Sequence, residues 1–259
     1  MSLRRKIILA IVFSLMSCAG AYIIINKIFT NLEGQLYEKC RIEALTGARA
    51  MSEIMYFMID NNMISKNDIF DTNYIEIPGS NPKKYRTRYD RLFDRWIQDI
   101  EDGFLVDRDV EFAVLMDEKG YVPTHNTKYS RPQTNNFARD VLFSRSKRIY
   151  SSYEGIKKVL AYRGDDTDRE LYRQDTGELF WNIGAPVRLY GRQWGSFIIG
   201  VNLDRITSIK NEMLALIIVT MSIIIAVTNL VILAIIPRRS QPRRKVDGEP
   251  DAGRQGGPD

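Results

Sequence analysis

The chain has 259 residues, 44% of them apolar, and a formal charge of +5. That length admits one domain of ordinary size with additions, and the basic residues gather beside apolar runs, so the charge is not a nucleic-acid signature. A single histidine, His125, excludes a His-based metal cluster or catalytic pair.

Two stretches, Ile7 to Ile25 and Met213 to Ile236, are nearly all apolar. Each is long enough to cross a hydrocarbon core as a helix. Arg4, Arg5 and Lys6 precede the first; Arg238, Arg239, Arg243, Arg244 and Lys245 follow the second. Basic flanks of this kind put both ends in the cytoplasm and the middle outside. The expected division is a cytoplasmic N-terminus (1–6), a transmembrane helix (7–29), an outer domain with a stalk helix (30–211), a second transmembrane helix (212–236) and a disordered tail (237–259), whose composition cannot pack a core. Arg4 to Lys6 with Leu15-Met16-Ser17-Cys18 also has the look of a secretory signal with a lipoprotein cleavage box. The apolar run continues to Ile25, however, and suits a retained span. Cys18 and Cys40 are too far apart along one helix to bond to each other; Cys40 is either a small stalk residue or a link between two copies.

From Asn26 to Asp60 there is no proline, and Leu32, Leu36, Cys40, Ile42, Leu45, Ala48, Met51, Met55 and Met58 recur at helical spacings. This predicts one long amphipathic helix continuing the first span outward. Asp60 to Arg86 is rich in Asn, Asp, Gly and Pro and reads as a loop, with a short strand at Tyr74–Ile77. Tyr85 to Ile100 has a single apolar face and reads as a helix. The run Phe112-Ala113-Val114-Leu115-Met116 is short and apolar, as in a strand buried on both faces. Asp117 to Gly120 makes a turn, Tyr121 and Val122 return, and Pro123 ends the pairing. Asn135 to Tyr150 reads as a helix across the sheet; Glu154 to Gly164 is ambiguous. Leu171 to Gln174 predicts a strand and Asp175 to Glu178 a hairpin turn. Leu179, Trp181, Ile183, Ala185, Val187 and Leu189 alternate strictly with their neighbours, which predicts one packed and one more open face. Trp194 to Leu203 returns as the last strand, and Asp204 to Asn211 re-enters helix. The fold class is therefore α+β: an antiparallel five-stranded sheet of PAS-like shape with a long N-terminal helix and a small pocket under a crossing helix.

The stretches Gly120-Tyr121-Val122-Pro123-Thr124-His125-Asn126 and Gly191-Arg192-Gln193-Trp194-Gly195, with Lys84 to Asp90, Arg145 to Tyr150 and Tyr172 to Glu178, resemble the periplasmic sensing region of bacterial methyl-accepting chemotaxis receptors with a Cache- or PAS-like domain. The resemblance implies a multi-pass protein of the bacterial inner membrane, a homodimer with its sensor domain in the periplasm, a small-molecule ligand and no cofactor. Receptors of that kind continue into a HAMP relay and a methylated coiled coil. Here Arg238 to Arg244 is similar to the start of a HAMP helix and the expected output domain does not follow, which suggests truncation, a frameshift or action through a partner such as a full-length receptor. Two alternatives stay open: a membrane-anchored binding or assembly module without output, and the sensory half of a histidine kinase or diguanylate cyclase.

The candidate ligand-binding residues are Thr124, His125, Asn126, Arg145, Arg148, Tyr172 and Trp181. His125 with Thr124 and Asn126 either braces the end of the hairpin or closes one wall of the pocket. Arg145 and Arg148, three apart on a helix, form a fork for an anion or pair with Asp140 or Glu154 at the surface. Tyr172 and Trp181, on neighbouring strands, are core residues or a ligand box. No phosphate loop, zinc spacing or nucleophile elbow is present, so an enzyme is not expected.

Overall fold

A computed structural model describes residues 3–173 and 177–235. In chain order the elements are α1 (Leu3–Asp60), β1 (Ile75–Glu76), β2 (Tyr85–Arg86), α2 (Asp90–Trp96), α3 (Gln98–Gly103), β3 (Val110–Asp117), β4 (Tyr121–Val122), α4 (Phe137–Phe143), β5 (Arg148–Ile149), α5 (Glu154–Ala161), β6 (Asp168–Arg173), β7 (Leu179–Leu189), β8 (Arg192–Asn202) and α6 (Leu203–Ile235). Two compact units divide the described residues: 3–26 with 215–235, and Lys27–Leu214. The expected tail at 237–259 and part of the expected turn, residues 174–176, lie outside the described residues.

In the first unit, α1 and α6 are each long and apolar enough to cross a membrane. Ile7, Ile8, Val12, Leu15, Ile23 and Ile24 stand exposed on α1, as do Leu216, Val219, Ile223, Val227 and Leu230 on α6. Outward apolar rows of this length suit a lipid solvent. Among them, Asn229 Nδ2 donates to Ser14 Oγ at 3.0 Å, a hydrogen bond between helices of the kind that holds spans together in hydrocarbon.

The second unit is built on a four-stranded antiparallel sheet in the order β3-β8-β7-β6. The first and last long strands are thus neighbours, with Leu115 opposite Phe197. One face packs on α1. Cys40, Ala44, Ala48, Met51, Met55 and Met58 of that helix meet Ala113, Leu115, Ile183, Ala185, Val187, Phe197, Ile199 and Val201 of the sheet. The stripe runs through Ala44, while Ile42 points to solvent at 53% exposure, one turn-position away from the expected seam. Gly47 allows the closest approach: a Cβ there would lie 2.1 Å from the Phe197 ring. Cys40 is fully buried in this core, which settles it as a packing residue and excludes a bond to a second copy in the folded state. Trp194 is buried after the turn and donates from Nε1 to the Ile69 carbonyl at 2.6 Å.

The other face is covered too. Phe112, Val114, Met116, Tyr172, Phe180 and Ile198 of the sheet pack with Ile156, Val159 and Leu160 of α5. The segment that the sequence left ambiguous is therefore the helix over the sheet. Its amphipathic pattern is short but clear, and it seats where the sheet is thin: a Cβ on Gly184 would meet Val159 Cγ1 at 2.1 Å. The face expected to be more open is closed by this helix.

Three further expectations are corrected. The main sheet has four strands, because the outer edge of β3 is occupied by side chains: the Ala113 N–H donates to Asn126 Oδ1 at 2.9 Å and the Leu115 N–H to Glu101 Oε1 at 2.8 Å. β4 instead pairs with β5 in a separate two-stranded ladder. The helix expected over Tyr85–Ile100 begins only at Asp90. The Asp90 carboxylate reaches back to the Thr87 N–H and hydroxyl, and Tyr85–Arg86 pairs with β1. The helix expected over Asn135–Tyr150 is only Phe137–Phe143. Asn136 caps its start by accepting from the Arg139 N–H. Ser144 ends it by donating to the Arg131 carbonyl at 2.6 Å, and Lys147 at φ 64° turns the chain into β5.

The turn after β3 forms as expected, but the returning strand leaves β3 and pairs elsewhere. Gly120 has φ 85°, and Asp117 holds the turn by accepting from the N–H groups of Lys119 and Tyr121 at 2.9 Å each. Its other oxygen accepts from the Tyr74 and Tyr89 hydroxyls.

Candidate functional site

A small cavity lies between the sheet and α5, bounded by Phe112, Val114, Met116, Val122, His125, Arg145, Tyr150, Ile156, Tyr172 and Ile198. It has about 30 Å³ of free space, room for about two water molecules. Its walls are mostly apolar and aromatic, with an imidazole and a guanidinium as the charged or ionisable groups other than tyrosine. Three of the seven candidate residues, His125, Arg145 and Tyr172, line it.

His125 is held by its backbone. Its carbonyl accepts from Gln98 Nε2 at 3.0 Å and Ser130 Oγ at 2.8 Å. Its ring meets Tyr129 edge-on at 5.0 Å and Phe112 at 5.9 Å. The buried Nδ1 has no hydrogen-bond partner among the described residues. Burial, with Arg145 and Lys128 nearby, drives the imidazole well below its ordinary pKa, so the ring is neutral at physiological pH. A neutral imidazole offers one donor and one acceptor.

Arg145 is not on a helix. It follows the Ser144 cap, donates from Nε to the Leu142 carbonyl at 2.8 Å and lays its guanidinium over the Tyr129 ring at 4.4 Å. Tyr129 in turn bonds to Glu111, which also holds Lys128. Arg148 opens β5 and stacks over Tyr150 at 5.0 Å; it does not line the cavity. The expected fork of two guanidiniums on one helix face is therefore not formed: the helix ends before both. Arg145 remains as a cation at the cavity wall.

Tyr172 is buried and meets Tyr153 edge-on at 5.2 Å. Trp181 lies on the opposite face of the sheet. In the register Tyr172 is opposite Phe180, and Leu171 is opposite Trp181. Side chains on adjacent residues of a strand point to opposite faces, so Tyr172 and Trp181 cannot share one box. Trp181 packs against the α1-side core and carries the Arg169 guanidinium at 4.8 Å.

Thr124 is buried but does not line the cavity. Asn126 is a brace, not a wall. Fully buried, it accepts from Ala113 N–H and donates to the Glu101 carbonyl at 2.7 Å. Glu101, also fully buried, is pushed well above its ordinary pKa by desolvation.

No protein-family model, curated protein or solved structure matches the chain. The cavity is thus read from its own chemistry. It can take a small neutral or anionic group against aromatic rings. A cation would face Arg145 with no carboxylate among the cavity residues to balance it.

Phe112, Val114, Met116, Val122, Tyr150, Ile156 and Ile198 also bound the cavity and were not among the residues expected from the sequence. Alternation alone marks Phe112, Val114 and Met116 as one face of β3. Assigning that face to a cavity required knowing that Glu154–Ala161 is the covering helix.

Proposed function

We propose that the chain is a membrane-bound sensor of chemoreceptor type, whose PAS/Cache-like outer domain binds a small solute at the cavity and passes the change to the second span. The observation that carries this reading is a short mechanical path. Ile198 of β8 lines the cavity, and β8 ends at Asn202 where α6 begins at Leu203, with no residue between them. A solute larger than two waters lifts α5 or presses on Ile198. Either movement reaches the start of a helix apolar enough to cross a bilayer. Small shifts of packed elements are a known means of switching. The solute shifts the balance only to the extent that it binds one arrangement better than the other.

Three ion pairs keep the base of this path in register. Lys210 on α6 pairs with Glu33 on α1, and Lys39 pairs with Asp107 and Asp109 just before β3. The long apolar helices and the aromatic cavity support a sensor over an enzyme or a nucleic-acid binder.

The test is thermal unfolding of the full chain in detergent micelles against amino acids, organic acids, amines and amides. A solute that binds only the folded state at a hundred times its Kd stabilises by about 2.7 kcal/mol, which for a domain of this size raises Tm by about 5–10 °C. Ile198→Ala should weaken the response. A panel in which no solute raises Tm contradicts the proposal.

A further inference from the structure

We infer that Asn182, on the sheet face beside the cavity and covered by Phe112 and α5, is the polar anchor of the solute site, and that the solute it receives is small, uncharged and amide-bearing, with a carbonyl and an N–H side by side. This rests on the sensor reading above and names its ligand class.

Asn182 is completely buried in β7, yet neither its Nδ2 nor its Oδ1 has a hydrogen-bond partner among the described residues. Two unmet polar atoms on one buried side chain are uncommon, and each such group is costly to bury. A leucine of similar size would fill the position without that cost. Its place in the register says what it serves. It shares the cavity-side face with Phe180 and Gly184, two residues away on either side, and lies opposite Gly200 on β8 and Glu170 on β6. Tyr172 and Ile198, each diagonal to it across a neighbouring strand, line the cavity.

The sheet around Asn182 is bare backbone on two sides. Gly200 lies beneath the Phe112 ring, which a Cβ would meet at 2.2 Å, and Gly184 lies beneath Val159. Phe112 and α5 therefore sit directly on the sheet, and lifting them uncovers the Asn182 amide. On the cavity wall itself, His125 Nδ1 has no partner among the described residues, on a ring that is itself buried.

A primary amide presents a donor and an acceptor together, and its complement is another amide edge. The surrounding Phe112, Tyr150, Tyr172 and Phe180 favour a flat group lying against rings. A cation is disfavoured beside Arg145. A free carboxylate can accept from Nδ2 but leaves Oδ1 unmet, because an ionised carboxylate has no proton to donate. An amide or lactam edge satisfies both atoms.

The experiment uses the full chain in detergent micelles, with uracil and acetamide as probes, 1,3-dimethyluracil as the matched compound lacking N–H groups, and benzoate as a flat acid. Uracil is expected to raise Tm, and dimethyluracil to bind at least tenfold more weakly by titration calorimetry. Asn182→Leu is expected to raise the Tm of the unliganded protein by about 3 °C, since a buried unpaired amide is removed, and to weaken uracil at least tenfold. A lower Tm in Asn182→Leu, or unchanged uracil affinity, overturns the inference. So does equal binding of uracil and dimethyluracil, a comparison that needs only the unmutated chain. If benzoate or another acid binds while both amides fail, the amide assignment falls and the sensor reading stands. If no solute of any class binds, both fall.

Discussion

Replacing Asn126 by alanine separates a brace from a ligand contact. The side chain joins two otherwise unconnected backbone groups, the Ala113 N–H at 2.9 Å and the Glu101 carbonyl at 2.7 Å, and is fully buried. Alanine removes both bonds, and each group left unpaired costs about 1–3 kcal/mol. The sum is about 3–4 kcal/mol if the edge relaxes a little. At about 2–4 °C per kcal/mol for a domain of this size, Tm should fall by about 10 °C. The measurement is thermal unfolding of the full chain in micelles, followed by fluorescence and repeated with any stabilising solute. Once the lower stability is allowed for, solute affinity should change less than threefold. A variant that melts within about 2 °C of the parent refutes the bracing role. One that keeps its Tm but loses the solute shows instead that Asn126 touches the ligand.

Other outcomes follow from burial. Desolvation and the neighbouring Asp107 carboxylate push Glu43 on α1 up to about 7 from an ordinary 4.5. The folded form holds this proton more tightly than the unfolded chain. The stabilisation is therefore complete below 4.5 and is lost as pH rises to about 7. Glu43→Gln should flatten the fall of Tm across that window; a slope unchanged by the substitution would show that Glu43 does not titrate there. Cys40 is fully buried, and desolvation raises its thiol to about 12. It should resist maleimide in the folded protein and react on denaturation, whereas rapid native labelling or a dimer-linking disulfide would contradict the packing described.

The sequence disclosed those parts of the fold that repeat with a period. The apolar runs, the stalk stripe through Met51, Met55 and Met58, and the alternation from Leu179 to Leu189 each report a buried surface directly. The break at Tyr85–Arg86 and the short α4 were hidden, because both depend on local bonds to side chains: Asp90 to Thr87, Ser144 to Arg131. At the site, His125 was legible as a polar residue at the end of a hairpin and Tyr172 as an aromatic of the meander; Arg145 was legible as a cation but was expected on a helix that ends at Phe143. Trp181 was misplaced for want of a register, since neighbouring strands bring together only residues on matching faces. Asn182 looked ordinary on a face expected to be open; it became informative once α5 closed that face.

The most direct test of the account is the side of the membrane on which the domain between the two apolar helices lies. Val106, at 86% exposure, is a suitable reporter when changed to cysteine in a chain with Cys18→Ala and Cys40→Ala. Intact cells treated with a membrane-impermeant maleimide should label Val106→Cys fully without lysis if the domain faces outward. Labelling only after the membrane is opened would put the domain in the cytoplasm and contradict a sensor of external solutes.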